Sequence, residues 1–246
     1  MRPYVMTIAG HDPSGGAGLT ADCKTFEQHK TVGLSVCTAN TVQTESEFVS
    51  VNWLPHDLIM QQVEKLYIKY QPQVVKVGLI ESFSLLLYIA KWFKLQNPEI
   101  IIIWDPVLKS TTGFEFHQKT EGLNDLLKYV TLVTPNMQEA MQLFGSKNPK
   151  DIKIFCHGNP TLSVLLKGGH AGQKGTDLLI SQKEIFTIPG EPFTGYEKHG
   201  TGCILSSAIA ANIAKGSELK EACIKGKKYV EKAMLSNHGL LAYHNI

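Results

Sequence analysis

Residues 100–104, four isoleucines followed by a tryptophan, constrain the fold more than any other stretch of this chain. A run this short and this apolar reads as a strand, too brief for a buried helix. Comparable short runs lie at residues 4–9, 34–41, 74–77, 132–134 and 162–166. Between them stand segments with helical spacing of apolar positions, at residues 16–30, 56–70, 82–96, 122–128 and 136–144. That alternation is the pattern of βα units and predicts an α/β fold with a mostly parallel sheet. Residues 178–181 and 184–188 read as a hairpin, and residues 42–53 as a second hairpin or flap. Residues 202–215 and 219–238 read as two closing helices. No linker, repeat or low-complexity segment interrupts the pattern, so one domain over residues 1–246 is expected.

Composition narrows the function classes. With 246 residues, 43% of them hydrophobic and 19% charged, the chain has the material for a substantial core and reads as globular. No apolar run approaches the ~20 residues that span a bilayer. The start, Met1-Arg2-Pro3-Tyr4, has no signal-peptide pattern. Five cysteines without a CxxC pair point to reduced thiols in the cytoplasm, not to disulfides or zinc. The net charge of +2 conceals a skew, since among 24 basic residues only Arg2 is an arginine. Phosphate chemistry here would rest on lysine, backbone N–H groups and a metal ion instead of an arginine fork. The lysines form no basic runs interleaved with aromatics, which argues against a nucleic-acid partner.

Several motifs sit where such a sheet would bind a ligand. Residues 199–203, His199-Gly200-Thr201-Gly202-Cys203, run directly into an apolar, small-residue helix. Glycines just before a helix let several N–H groups converge where the dipole adds positive potential, a cradle for a phosphate or developing oxyanion. Cys203 stands at its mouth. A helix N-terminus is expected to lower a thiol's pKa, with His199 and Lys198 as candidate contributors; the alternative is an inert buried cysteine. Residues 10–18 form a glycine-rich turn after the first strand. Their four glycines and Pro-Ser step exceed what a plain connection needs and suit a phosphorylated ligand, although the turn is neither a dinucleotide fingerprint nor a Walker loop. Asp105 ends the strand at 100–104, as a metal or phosphate residue or as a turn aspartate before proline. Lys167 ends the strand at 162–166, as a phosphate contact or as a solvated lysine. Asn136 and Glu139 share a face at a helix start, where they either hold Mg²⁺ through its waters or form a capping box.

Taken together, AGHDPSGGAGLTAD, TVQTE, VKVGLI, WDPVL, VTPNMQEA, LLKGGH and HGTGC, in that order, closely resemble the hydroxymethylpyrimidine/phosphomethylpyrimidine kinases of thiamine biosynthesis, in the ribokinase-like superfamily. The resemblance runs from Val5 to about Tyr229. It implies a three-layer α/β/α sandwich with a small β flap. It also implies ATP- and Mg²⁺-dependent phosphorylation of 4-amino-5-hydroxymethyl-2-methylpyrimidine and then of its monophosphate. By this resemblance Gly10, Asp22 and Gln43 contact the pyrimidine, and Leu79 and Val107 wall the ring. Gln43 offers both a donor and an acceptor, which suits an aminopyrimidine edge. Asn136 and Glu139 would organise Mg²⁺ and the phosphates, with Asp105 near them and Lys167 near the transferring phosphoryl. Gly200, Thr201 and Gly202 would form the anion hole. Cys203 would take the place of the aspartate base of related sugar kinases and assist removal of the hydroxyl proton. A homodimer is also implied. Phosphoryl transfer asks mainly for positioning and electrostatic stabilisation, which an arginine-poor chain supplies through N–H groups, Lys167 and Mg²⁺.

The chain departs from the family pattern in four places. His11 stands where serine is usual, and Ile204 where threonine is common. Residues 109–117 keep only a loose likeness, and the region between Phe144 and Thr161 is short. Two other readings compete. A pyridoxal/pyridoxine kinase would act on a similar hydroxymethyl ring, with Gln43 arguing for the aminopyrimidine. A pyrimidine-binding sensor would have lost transfer, and Asn136, Glu139, Lys167 and the GTGC stretch argue against that.

Overall fold

The computed structural model describes residues 1–109, 122–168, 175–190 and 196–245. Their elements are, in order, β1 (Tyr4–His11), α1 (Gly18–Gln28), β2 (Val32–Gln43), β3 (Phe48–Trp53), α2 (His56–Tyr70), β4 (Val74–Val77), α3 (Phe83–Gln96), β5 (Ile101–Trp104) and α4 (Leu123–Leu127). They continue with β6 (Leu132–Val133), α5 (Met137–Phe144), α6 (Pro149–Gly158), β7 (Ser163–Leu166), β8 (Asp177–Ser181), β9 (Ile185–Ile188), α7 (Thr201–Ala214) and α8 (Leu219–Leu235). The described strands form one sheet in the order β3-β2-β1-β4-β5-β6-β7-β8-β9. The five pairings from β2 through β7 are parallel, while β3, β8 and β9 add antiparallel edges.

Period-two alternation along each strand sorts the core into two layers. On β4, Val75 and Val77 point into the cluster built with α2, α3, α4, α5 and α6. Val74 points the other way, into the cluster with α1, α7 and α8. This is the three-layer sandwich the family resemblance implies. The uniformly small and apolar character of α7 follows from its place, since a helix hydrophobic all round is a buried one. Ile204, Ala208, Ile209 and Ala211 are fully buried. Gly226 of α8 brings the two helices together, because a Cβ there would lie 2.7 Å from Ile209 Cγ1.

The chain leaves β1 toward β2 on one side and returns to β4 on the other, so the strand order reverses at β1. In open α/β sheets the crevice at the carboxyl ends beside such a reversal is where ligands bind. Three differences from the sequence-based boundaries have local causes. The first helix begins at Gly18, not residue 16, because Gly15 and Gly18 take left-handed φ of 73° and 57° in the preceding turn. The last helix stops at Leu235, and residues 236–245 fold back so that the Leu240 carbonyl accepts the His199 N–H at 2.9 Å. The short region after Phe144 contains a helix the periodicity did not reveal, α6. It starts at an Asn148 cap, whose side chain accepts from Lys150 N at 3.0 Å, with Pro149 in its first turn. Asn-Pro ahead of Ile152 and Cys156 was the available signal. Residues 110–117 of the loosely matching stretch lie outside the described residues.

Candidate active site

One cavity opens at the carboxyl ends of β1, β4, β5, β6 and β7, and the α7 N-terminus closes it. Twelve of the thirteen residues expected at a site line it: Gly10, Gln43, Leu79, Asp105, Val107, Asn136, Glu139, Lys167, Gly200, Thr201, Gly202 and Cys203. Asp22 does not. Its side chain is fully buried, and its oxygens accept from Thr7 Oγ1 at 2.5 Å, Ser207 Oγ at 2.6 Å and Lys76 Nζ at 2.8 and 3.0 Å. A carboxylate so enclosed has no free face for a ligand, which corrects the expectation of direct pyrimidine contact.

At one end of the cavity the groups are fixed before any ligand arrives. Gln43 Nε2 donates to Thr41 Oγ1 at 2.8 Å, and that hydroxyl donates to the His11 carbonyl at 2.8 Å. Leu79 packs on Gly10, where a Cβ would approach Leu79 Cδ2 to 2.8 Å. Val107 and, from β3, Phe48 complete this apolar end. The β2–β3 flap thus supplies both Gln43 and Phe48.

The opposite end is charged. Lys167 Nζ donates to Asp105 Oδ1 at 3.0 Å and lies 3.9 Å from Glu139 Oε2. Asp105 also accepts from Thr134 Oγ1 at 3.0 Å and Ser206 Oγ at 3.2 Å, and is 2% exposed. Burial works to raise the Asp105 carboxyl, but Lys167, Lys76 and the hydrogen bonds outweigh it and hold it below the usual range. Its oxygens serve Lys167, so Asp105 positions that lysine and is not a free metal ligand. Asn136 and Glu139 form the capping box of α5: the Asn136 side chain accepts from the backbone N–H groups of Gln138 and Glu139, and Glu139 Oε2 accepts from Asn136 N at 2.7 Å. The same Glu139 oxygen lies 3.9 Å from Lys167 Nζ. Burial, reinforced by Asp105, pushes the Glu139 carboxyl up to about 7 against the opposing pull of Lys167 and the Asn136 N–H.

Between these ends lies the α7 N-terminus. Gly200 takes a left-handed φ of 74°, which turns the chain into the helix. Gly202 lets the helix start abut the charged end, since a Cβ there would lie 3.2 Å from Lys167 Nζ. The glycine-rich turn locks against this segment. Asp12 accepts from Ser14 N, Ala17 N and His199 Nε2 at 2.8–2.9 Å, tying turn to cradle. His199 therefore serves Asp12, and Lys198 donates to the backbone carbonyls of Asn237 and Gly239; neither is bonded to Cys203. The Cys203 thiol itself is pushed up to about 11. Burial is the largest cause; Lys76 and the Gly18 N–H oppose it, while Asp22 and Asp105 add to it. The expected lowering by the helix start is overridden, because desolvation of a thiolate at 9% exposure costs more than the dipole returns. Asp12 was readable as an Asx turn from the Asp-Pro-Ser step. Lys76 was readable as the only charge in an otherwise apolar strand.

The chain is similar to several known kinases. The family model described as phosphomethylpyrimidine kinase matches residues 12–245. The hydroxymethylpyrimidine/phosphomethylpyrimidine kinase of Aquifex aeolicus is 31% identical over 245 residues, covering 96% of this chain and 95% of the relative. The enzyme of the same description from Rhizobium meliloti is 31% identical over 244 residues, covering 95% and 91%. Among solved structures, phosphomethylpyrimidine kinase from Clostridium difficile superposes with a TM-score of 0.75 at 32% identity, covering 94% of this chain and 99% of that one. Pyridoxal kinase from Staphylococcus aureus in complex with AMP-PCP and pyridoxal gives a TM-score of 0.82 at 27% identity, covering 100% and 96%.

Proposed function

The chain belongs to the phosphomethylpyrimidine kinase family, and on that premise we propose that its cavity transfers the terminal phosphoryl group of ATP to the hydroxymethyl oxygen of 4-amino-5-hydroxymethyl-2-methylpyrimidine, and then to the resulting monophosphate. The observation that carries this reading is the polarity of the cavity. A preset ring end of Gln43, Leu79, Val107 and Phe48 faces a charged end of Lys167 and Glu139, with the α7 N-terminus between them. A hydroxymethyl group on a ring held at the first end projects toward the second. The Gly200–Cys203 backbone N–H groups then hold the phosphoryl oxygens, and Lys167 adds a point charge beside them.

Among the described residues no group of three His, Cys, Asp or Glu side chains is arranged to hold a metal ion. The single accessible carboxylate, Glu139, fits Mg²⁺, which keeps most of its waters and binds through one or two carboxylates and substrate phosphates. Glu139 would hold it through water, where it neutralises charge on the phosphate chain. Cys203 enters the reaction as a thiol, not a resting thiolate. In a loose transition state the hydroxyl proton leaves late and passes to an oxygen of the transferred phosphoryl group, so the protonated thiol positions the hydroxyl without having to accept its proton. A homodimer belongs to the same proposal; light scattering at the mass of one chain would remove it.

Coupled ADP release with hydroxymethylpyrimidine and with pyridoxal tests the assignment. Faster turnover of the aminopyrimidine is expected. Faster turnover of pyridoxal would overturn the substrate, and ligand binding with no ADP above background would overturn transfer.

A further inference from the structure

Among the described residues, Lys76 and Asp22 form a fully buried ion pair that phosphoryl transfer, as derived above, does not use. Lys76 stands on β4 between Val75 and Val77, and its side chain is 0% exposed. Period-two alternation turns it toward α1 and α7, where Nζ donates to both Asp22 oxygens. The pair joins four elements: Thr7 from β1, Asp22 from α1, Lys76 from β4 and Ser207 from α7. Stability alone gives a weak reason for this arrangement, because a buried ion pair replaced by neutral groups of similar shape is often neutral or stabilising.

Its position gives another reason. Ser207 lies one helical turn after Cys203 on the same face of α7, so the pair sits directly beneath the cradle. The ammonium also underlies the β4 exit, since a Cβ on Gly78 would lie 2.9 Å from Lys76 Nζ. Asp22 accepts from two hydroxyls as well as from Lys76, and those dipoles damp its field. On the cradle side the cation faces Asp105, whose oxygens are taken up by Lys167, Thr134 and Ser206. We propose that Lys76 is the electrostatic positioning residue of the cradle: its buried ammonium, aimed by Asp22, supplies the fixed positive potential beneath Gly200–Cys203 that an arginine-poor chain lacks on its surface. This rests on reading the cavity as a phosphoryl-transfer site. The charge balance at the thiol agrees, because among the ionised groups acting on Cys203 the influence of Lys76 is the largest, ahead of Asp22 and Asp105.

The test uses the intact chain and three variants: Asp22→Asn, Lys76→Met, and both together. The double variant is neutral and close in shape, so it separates charge from packing. The first readout is the rate of Cys203 alkylation by iodoacetamide at pH 8, followed by peptide mapping, which reports thiolate fraction. Losing the cation is expected to slow alkylation about tenfold in Lys76→Met, one unit of thiol pKa, and about threefold in the double variant, where the loss of Asp22 offsets part of it. Asp22→Asn alone is expected to accelerate it. The second readout is kinetic: the double variant is expected to lose about tenfold or more in kcat, with KM for hydroxymethylpyrimidine within about threefold. A folded double variant matching the wild type in both readouts overturns the proposal. So does a double variant that cannot fold, which would assign the pair to the scaffold, or Asp22→Asn slowing alkylation. Alkylation needs neither ATP nor pyrimidine. If the wild type phosphorylates no pyrimidine while the alkylation rates shift as stated, the kinase reading fails and the electrostatic role stands.

Discussion

Gly200→Ala probes the cradle where the geometry leaves least room. The residue has φ of 74°, and an alanine Cβ would lie 2.0 Å from the Gly16 carbonyl oxygen, 2.8 Å from its carbon and 2.9 Å from Ala17 Cα. The left-handed conformation alone costs about 1–2 kcal/mol for a residue with a Cβ. The contact with Gly16 involves backbone on both sides, so no side chain can swing away. The turn and the α7 start must separate by about 1 Å to restore a tolerable distance, and a displacement of that size at a reacting centre is worth about 100-fold in rate, or about 2.7 kcal/mol. The assay is steady-state ADP release with hydroxymethylpyrimidine, beside thermal unfolding. Gly216→Ala is the control, because Gly216 sits at the far end of α7 with φ of 93° and nothing within 4 Å of its Cβ position. Both variants are expected to lose a few degrees in Tm. Only Gly200→Ala is expected to lose about two orders of magnitude in kcat. A folded Gly200→Ala protein with kcat within threefold of the wild type would refute the cradle as the place where phosphate is held.

Two further outcomes follow from the charged groups. Cys203→Ala is expected to lower kcat about tenfold, through loss of the thiol that orients the hydroxyl; an unchanged first phosphorylation rate would leave the backbone cradle sufficient. Glu139, with its folded carboxyl raised to about 7, binds a proton in the folded state that the unfolded chain has released. Its contribution to stability is therefore fully present below the unfolded value of 4.5 and is lost as pH rises to about 7. Urea unfolding of Glu139→Gln should be flatter across that window than the wild type. Wild-type kcat/KM is expected to rise near pH 7 as Glu139 ionises, and Glu139→Gln to lack that rise; a rise that persists in Glu139→Gln belongs to another group.

The fold was legible because its signals are local and strong. Isoleucine runs and helical spacing specify βα units whatever surrounds them, and the glycines of the two turns mark left-handed positions that the structure uses. The cavity lining was legible for a related reason: ligands gather at the carboxyl ends of parallel strands, and the motifs stand there. What the sequence did not disclose depends on partners distant along the chain. Asp22 stands in a motif and looks available, but Lys76, 54 residues away, and Ser207, 185 away, enclose it. Asp105 looks like a metal residue until Lys167 and Ser206 arrive. The Cys203 thiol was expected to be acidic from its helix start, a local rule, and is held up by burial, a property of the whole assembly. His199 and Lys198, neighbours of the cradle in sequence, are spent on Asp12 and on the returning C-terminal segment.

The same pairings explain how a chain with one arginine handles a polyanion. Lys167 comes with Asp105 and Glu139, and Lys76 comes with Asp22, so in these two clusters two ammonium groups meet three carboxyl groups. Side-chain charge of that balance does little to draw a triphosphate in from solution, whatever Lys76 does for the phosphoryl group once it is bound. Attraction must come from oriented dipoles, which carry no counter-charge, and from a cation that arrives with the nucleotide. The structure matches both needs. The α7 N-terminus presents its N–H groups from a glycine turn. Burial raises the Glu139 carboxyl to about 7, so a divalent ion beside it would favour the ionised form. A carboxylate already ionised at rest would repel the phosphates before the metal came; one held near 7 would ionise and hold the metal's waters once the metal is bound.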